Sequence, residues 1–320
     1  MARPRRSRGG RHGTEEPIAA IGCIDLRFVP PLRVDAPWQM PELVILFVAM
    51  ANAAADARPK LAGLGTQLVL GISLARRGFL VGASLAIGAV TTLALMGLAA
   101  SYARRGAEAP VQSVPILASG ALAWGAGFLL AFSASARVLR RDRADGVRQL
   151  LRWRGLGLAR YLGTRVGGLA ALLAIVVAGG TALVGASALA VGAKLGTARD
   201  VAQSTGAALA YAVAFSLVVA PLAVAAVGAR SRMGGYFFLA AVLFLPEMAA
   251  TWLEAMLPHG LAELFAIPSA LAALRTSLAP GSVDGWRALR SVLALAVFVA
   301  LALAAVRREI TVVDREAEAP

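Results

Sequence analysis

The sequence predicts an all-α polytopic membrane protein with six transmembrane helices. It adds an interfacial helix before the first span and a cytoplasmic amphipathic helix between spans two and three. Three observations carry that reading. The apolar set makes up 58% of the 320 residues and charged residues only 16%, whereas a soluble domain is about a quarter charged. Long stretches hold no charge at all, and a run of roughly 20 such residues crosses the hydrocarbon of a bilayer as a helix. The basic residues gather between those stretches. The same composition excludes a disordered chain, a collagen-like chain and a disulfide scaffold. The 33 glycines follow no triplet period, and Cys23 is the single cysteine.

Residues 1–60 are expected to form a basic, disordered cytoplasmic tail. Arg3, Arg5, Arg6, Arg8 and Arg11 crowd its start, and no apolar run of signal-peptide length follows them. Leu43 to Ala55 is apolar but about 13 residues long, too short to span. An interfacial segment, a signal-like stretch and a native start at Met50 all remain open for it. In residues 61–75, Leu61, Leu64, Leu68 and Ile72 recur at near-helical spacing before Arg76-Arg77. This suits a helix lying in the cytoplasmic interface; the alternative is an extension of span one.

The spans follow in order. Residues 78–100 carry no charge, and 23 residues rise about 35 Å. The second is 114–136, with Pro115 near its start. The third, 166–193, is long enough to tilt or to break at Gly179-Gly180. The fourth, 204–229, contains Pro221 as a possible kink. The fifth, 234–257, is interrupted by Pro246, Glu247 and Glu254. The sixth is 288–306, of which only 291–306 is uncharged, so that Arg287 and Arg290 would have to extend to the interface. Residues 311–320 form a cytoplasmic tail.

Thirty-two basic residues against 18 acidic ones give a net charge of +14. Because these charges flank apolar runs, they imply topology and anionic lipid rather than nucleic acid as a partner. Arg140, Arg141, Arg143, Arg148, Arg152, Arg154, Arg160 and Arg165 lie between spans two and three. Arg230 and Arg232 lie between four and five, and Arg307-Arg308 follow span six. The alternate connections are poorer in basic residues. Positive residues mark the cytoplasmic side, so both termini are expected inside the cytoplasmic (inner) membrane of a bacterium.

The stretch 138–165 carries the most information about function. In it Val147, Leu150 and Leu151 fall on one helical face, with Asp145, Arg148 and Arg152 elsewhere. Gly155 and Gly157 then break the pattern before Leu158, Tyr161 and Leu162 resume an apolar stripe. An amphipathic helix exposed between two spans is built to receive force from a soluble partner; the plainer alternative is a basic loop that only sets topology. Here the sequence resembles the permease subunits of type-2 ABC exporters. Asp142 takes the acidic position of that family's pattern and Gly146 its glycine. Gln149, Leu150 and Leu151 match the following run, and Arg160, Tyr161, Leu162 and Arg165 the lead into span three. Val147 and Gln149 depart from the usual Thr and Glu. The resemblance implies that Asp142, Asp145, Gly146, Val147, Arg148, Leu150, Leu151 and Arg152 form a coupling helix. It would dock into one of two separate ATPase subunits, which bind ATP and Mg. A second permease copy, or a homologous permease, would complete the exporter. The family plan also has an interfacial helix before span one and short helices before span six, and residues 61–306 fit it.

No Gly-x-x-x-x-Gly-Lys-Ser/Thr loop is present, so the chain is not expected to bind ATP or to be an enzyme by itself. No cofactor is expected in it. Glu247 and Glu254, seven residues apart, share a helical face. A carboxylate within the membrane suggests a substrate or proton pathway. The bland reading has span five short and bending out at Pro246, with both residues in wet structure near His259 and Glu263. His12 and His259 have no metal-ligand spacing. Gly163 and Gly167 offer a small-residue contact between helices. The rival functions are an ion-coupled secondary transporter using Glu247 and Glu254, and a membrane scaffold that transports nothing.

Overall fold

The computed structural model describes residues 69, 71–73, 78–106, 108–138, 158–228, 232–253, 256, 262–281 and 283–318. All lie within one unit, Val44–Pro320. The described residues are helical throughout, apart from the connecting turns. Six of the helices are long and apolar enough to cross a bilayer, over Phe79–Tyr102, Val111–Ala136, Tyr161–Leu195, Ala198–Val227, Gly234–Trp252 and Gly285–Arg308. The chain is a multi-pass membrane protein.

Span one is helix α1, Phe79–Arg105. Gly106, at φ 63°, turns the chain in the left-handed region open to glycine. Span two is built in three pieces: α2 (Glu108–Ala121), a π-helical segment (Leu122–Gly127) and α3 (Phe128–Val138). Span three is α4, Leu158–Leu195, a single helix of 38 residues. At 1.5 Å per residue it is about 57 Å long, well beyond the hydrocarbon thickness. Of the two alternatives, a tilt or a break at Gly179-Gly180, the break does not occur. The helix ends instead where Gly196 adopts φ 79° and the Thr197 N–H donates to the Gly192 carbonyl at 2.9 Å. That closure satisfies a carbonyl the helix leaves unpaired.

Span four is α5, Ala198–Ala223, continued by a second π-helical segment, Val224–Gly228. Pro221 does not end it. A proline cannot donate to the carbonyl four residues earlier, and the wider π turn follows three residues on. Span five is α6, Arg232–Leu253. It runs through Pro246 and continues to Leu253, so the helix does not end at the proline. A short 3₁₀ turn (Ala262–Phe265) and helix α7 (Ile267–Ser277) then fold back before span six. Span six lies in α8, Gly285–Glu318, which starts earlier and ends later than the expected 288–306. Asp284 explains the early start. Its Oδ1 accepts from the backbone N–H groups of Trp286 at 3.1 Å and Arg287 at 3.0 Å, which is N-cap chemistry. The expected C-terminal tail is helical as far as Glu318.

Spans two, three and four form the centre. Leu122, Leu130, Leu169, Leu173 and Phe215 are fully buried there. Residues 71–73 lie against the start of span three. A Cβ on Gly168 would fall 2.9 Å from Gly71 Cα, and one on Gly71 would fall 2.8 Å from the Thr164 carbonyl oxygen. Two bare backbones are therefore needed at this contact. The small-residue pair expected from sequence was Gly163 and Gly167, but a Cβ on Gly163 meets open space.

Candidate functional site

The residues expected to couple the chain to a partner, Asp142, Asp145, Gly146, Val147, Arg148, Leu150, Leu151 and Arg152, lie outside the described residues. So do Glu254, His12 and His259. Glu247 is described, and both of its carboxylate oxygens meet one residue of α7. One carboxylate oxygen accepts from Ser269 Oγ at 2.7 Å and the other from the Ser269 backbone N–H at 3.2 Å. Ser269 is the third residue of α7, after Ile267 and Pro268. The first turn of a helix has N–H groups with no partner inside the helix and a positive dipole end. Ala266, at the cap position, has no side chain to meet them. Glu247 supplies that acceptor from span five, so its structural work is to staple α7 to span five.

The same end of the bundle holds a second device that joins distant segments. Glu263 in the 3₁₀ turn accepts two hydrogen bonds from Arg287 at the start of span six, one of them from Nε at 3.1 Å. The pair is partly exposed, so its direct contribution to stability is small. Its geometry is bidentate, which fixes orientation as well as distance. Gln112 Nε2 lies 3.4 Å from Asp200 Oδ2, linking the start of span two to that of span four.

The third constellation runs through the middle of the protein. Trp124, in the π segment of span two, donates its indole N–H to the Tyr211 hydroxyl of span four at 2.8 Å. Tyr211 is buried, and a buried indole or phenol group needs such a partner. Arg275 of α7 lies over the other part of this pair, its guanidinium carbon 4.9 Å from the centre of the Tyr211 ring. Its Nη1 donates to the Ile116 carbonyl at 3.3 Å. Below Trp124 the rings continue. Trp124 meets Phe215 edge-on at 5.4 Å and Phe128 at 6.2 Å. Phe128 meets Phe132 at 6.1 Å, and Phe132 stacks on Tyr236 of span five at 3.8 Å. The result is a column of aromatic contacts from α7 to the start of span five. Trp124, Phe128 and Phe132, four apart, follow one face of span two.

A groove of about 620 Å³ opens elsewhere, between spans three, four and six, lined by Gly167, Val218, Pro221, Leu295, Val299 and other apolar side chains. Among the described residues, no three His, Cys, Asp or Glu side chains come together as metal ligands do.

Sequence reasoning passed over Trp124, Tyr211 and Arg275. The available signals were weak: a tyrosine in the middle of an uncharged span, and one arginine in the otherwise mixed connection before span six. Comparison with protein-family models, with curated proteins and with solved structures gives no match.

Proposed function

We propose that this chain is the permease subunit of an ATP-binding-cassette export system of the type-2 class. It would move its substrate with energy from ATP hydrolysed by two separate subunits, as one of a pair of permeases. The order of elements carries the reading. Six spans are accompanied by a long basic amphipathic connection between spans two and three and by two short helices between spans five and six. Residues 71–73, packed on span three, are where a helix lying in the interface before span one would meet the bundle. On the charge distribution, the end carrying residues 139–157 and the C-terminal helix faces the cytoplasm, with both termini inside. Closure of the ATPase subunits would then press on the coupling helix, 142–152, and α4 would carry that displacement along its whole length to α5.

The ion-coupled alternative rests on Glu247 and Glu254. Of these, Glu247 holds the first turn of α7 through Ser269.

Gentle purification of the tagged chain from its native membrane tests the proposal. A stoichiometric ATPase subunit is expected to accompany it and to be lost in the double variant Leu150→Asp, Leu151→Asp. Preparations free of any ATPase in several mild detergents would overturn the exporter reading.

A further inference from the structure

We infer that Arg275 is the recognition group of a binding site for a phosphate-headed amphiphile, with the aromatic column below it as the wall for the apolar part. Four observations lead there. First, among the described residues Arg275 has no carboxylate partner. The acidic side chains described at this end of the protein are engaged elsewhere: Glu247 with Ser269, Glu263 with Arg287, Asp284 with the start of α8, and Asp200 with Gln112. A cation on a segment folded among membrane spans is costly unless something compensates it. One long hydrogen bond to a carbonyl and one ring face compensate it only in part.

Second, the guanidinium has donors to spare. Nη1 is committed to Ile116, and among the described residues no hydrogen bond engages Nε or Nη2. Arg275 as a residue is partly exposed. Third, the group is held in place. A Cβ on Gly120 would lie 3.4 Å from Nη1, so the guanidinium rests against bare backbone of span two. The Tyr211 ring that supports it is fixed by Trp124. A planar fork held against span two, with Nε and Nη2 left for another acceptor, suits two phosphate oxygens.

Fourth, the surroundings favour an amphiphile over a free ion. Trp124, Phe128, Phe132 and Tyr236 are each half-buried, so part of each ring is left for contact with an apolar chain. A head on Arg275 then places a tail along these rings. The inference does not rest on the exporter reading, because the chain alone forms the site.

The test uses the full chain in nanodiscs of phosphatidylcholine. Trp124 is kept as the only indole by Trp38→Phe, Trp153→Phe, Trp252→Phe and Trp286→Phe. Phosphatidic acid brominated high in its acyl chains is expected to quench Trp124 at about a fivefold lower mole fraction than phosphatidylcholine brominated in the same way. R275Q should remove that preference and R275K should retain part of it. Equal quenching by the two lipids would overturn the inference, as would a preference that survives R275Q. Inorganic phosphate at millimolar concentration is expected to leave the preference in place. If it abolishes the preference, the site reads a free phosphate and no amphiphile is involved. Should R275Q fail to fold, the lipids retained by the unsubstituted chain in native mass spectrometry decide the matter. Retained phosphatidic acid in excess of its share of the membrane supports the site, and no excess overturns it.

Discussion

Spans three and four differ from spans five and six in how they meet their surroundings. In span four, 72% of the apolar stretch is buried, against 22% in each of spans five and six. The centre is assembled from small residues that let helices approach closely. The flank keeps its large side chains outward: Trp252 is 81% exposed, Leu301 61% and Leu293 58%. In water this flank would be a liability. In a bilayer it costs nothing, because lipid tails are as apolar as leucine and the helices associate through fit. Composition therefore makes the two pairs look alike, while their sensitivity to substitution differs. The flank is held by a few polar staples, the centre by shape.

The largest effect is expected where shape decides. A Cβ on Gly180 would fall 2.8 Å from Leu122 Cδ1 and 2.9 Å from Thr92 Oγ1, whereas one on the adjacent Gly179 meets nothing within 4 Å. Gly180→Leu should cost about 3 kcal/mol or fail to assemble, by overpacking a closed core. Gly179→Leu should be tolerated or slightly stabilising, since glycine is a poor helix former. Thermal melts of the two variants in one detergent check this, and equal losses would break the contrast between buried and open faces of one helix.

A smaller effect is expected at the staple between span five and α7. Glu247→Gln removes the charge and replaces one acceptor oxygen with an amide NH2, so that only one oxygen is left to accept from Ser269. It should destabilise by about 1 kcal/mol, the scale of a lost hydrogen bond. Hydrogen exchange should show α7 loosening before the central spans. In a transport assay the variant should keep most of its activity; complete loss with the fold intact would restore the proton-pathway reading of Glu247.

The smallest effect belongs to the exposed face of span six. Leu293→Ala and Leu301→Ala should each change thermal stability by less than about 0.5 kcal/mol. A larger loss in the native membrane than in detergent would sharpen the comparison, by showing that this face is covered by protein there.

Much of the architecture was legible because hydrophobic length is read one segment at a time. The six spans, their order and the unusual connection between spans two and three need no knowledge of neighbours. The ends of the elements were less legible. Span six starts early because Asp284 caps it, and span five continues past Pro246 where the pattern suggested a bend. The expected pair of small residues, Gly163 and Gly167, had the right spacing, yet the close contact belongs to Gly168. Which glycine faces a neighbour depends on how the helix is rotated, and spacing alone does not encode that. The carboxylate at Glu247 was visible, but its partner lies 22 residues away. Tyr211 joins Trp124 across 87 residues, and Arg275 reaches Ile116 across 159.

The sequence by itself determined the solvent of this protein and the number and order of its spans. Runs of apolar residues must leave water, and arginines between them must not enter hydrocarbon. Tertiary structure alone decided which polar groups inside the bundle are satisfied and which stay open. Glu247 finds the bare N–H group of α7, while Arg275 finds only a carbonyl and a ring. A polar group at membrane depth has no water to fall back on, so its role is set by the partners that packing brings within reach.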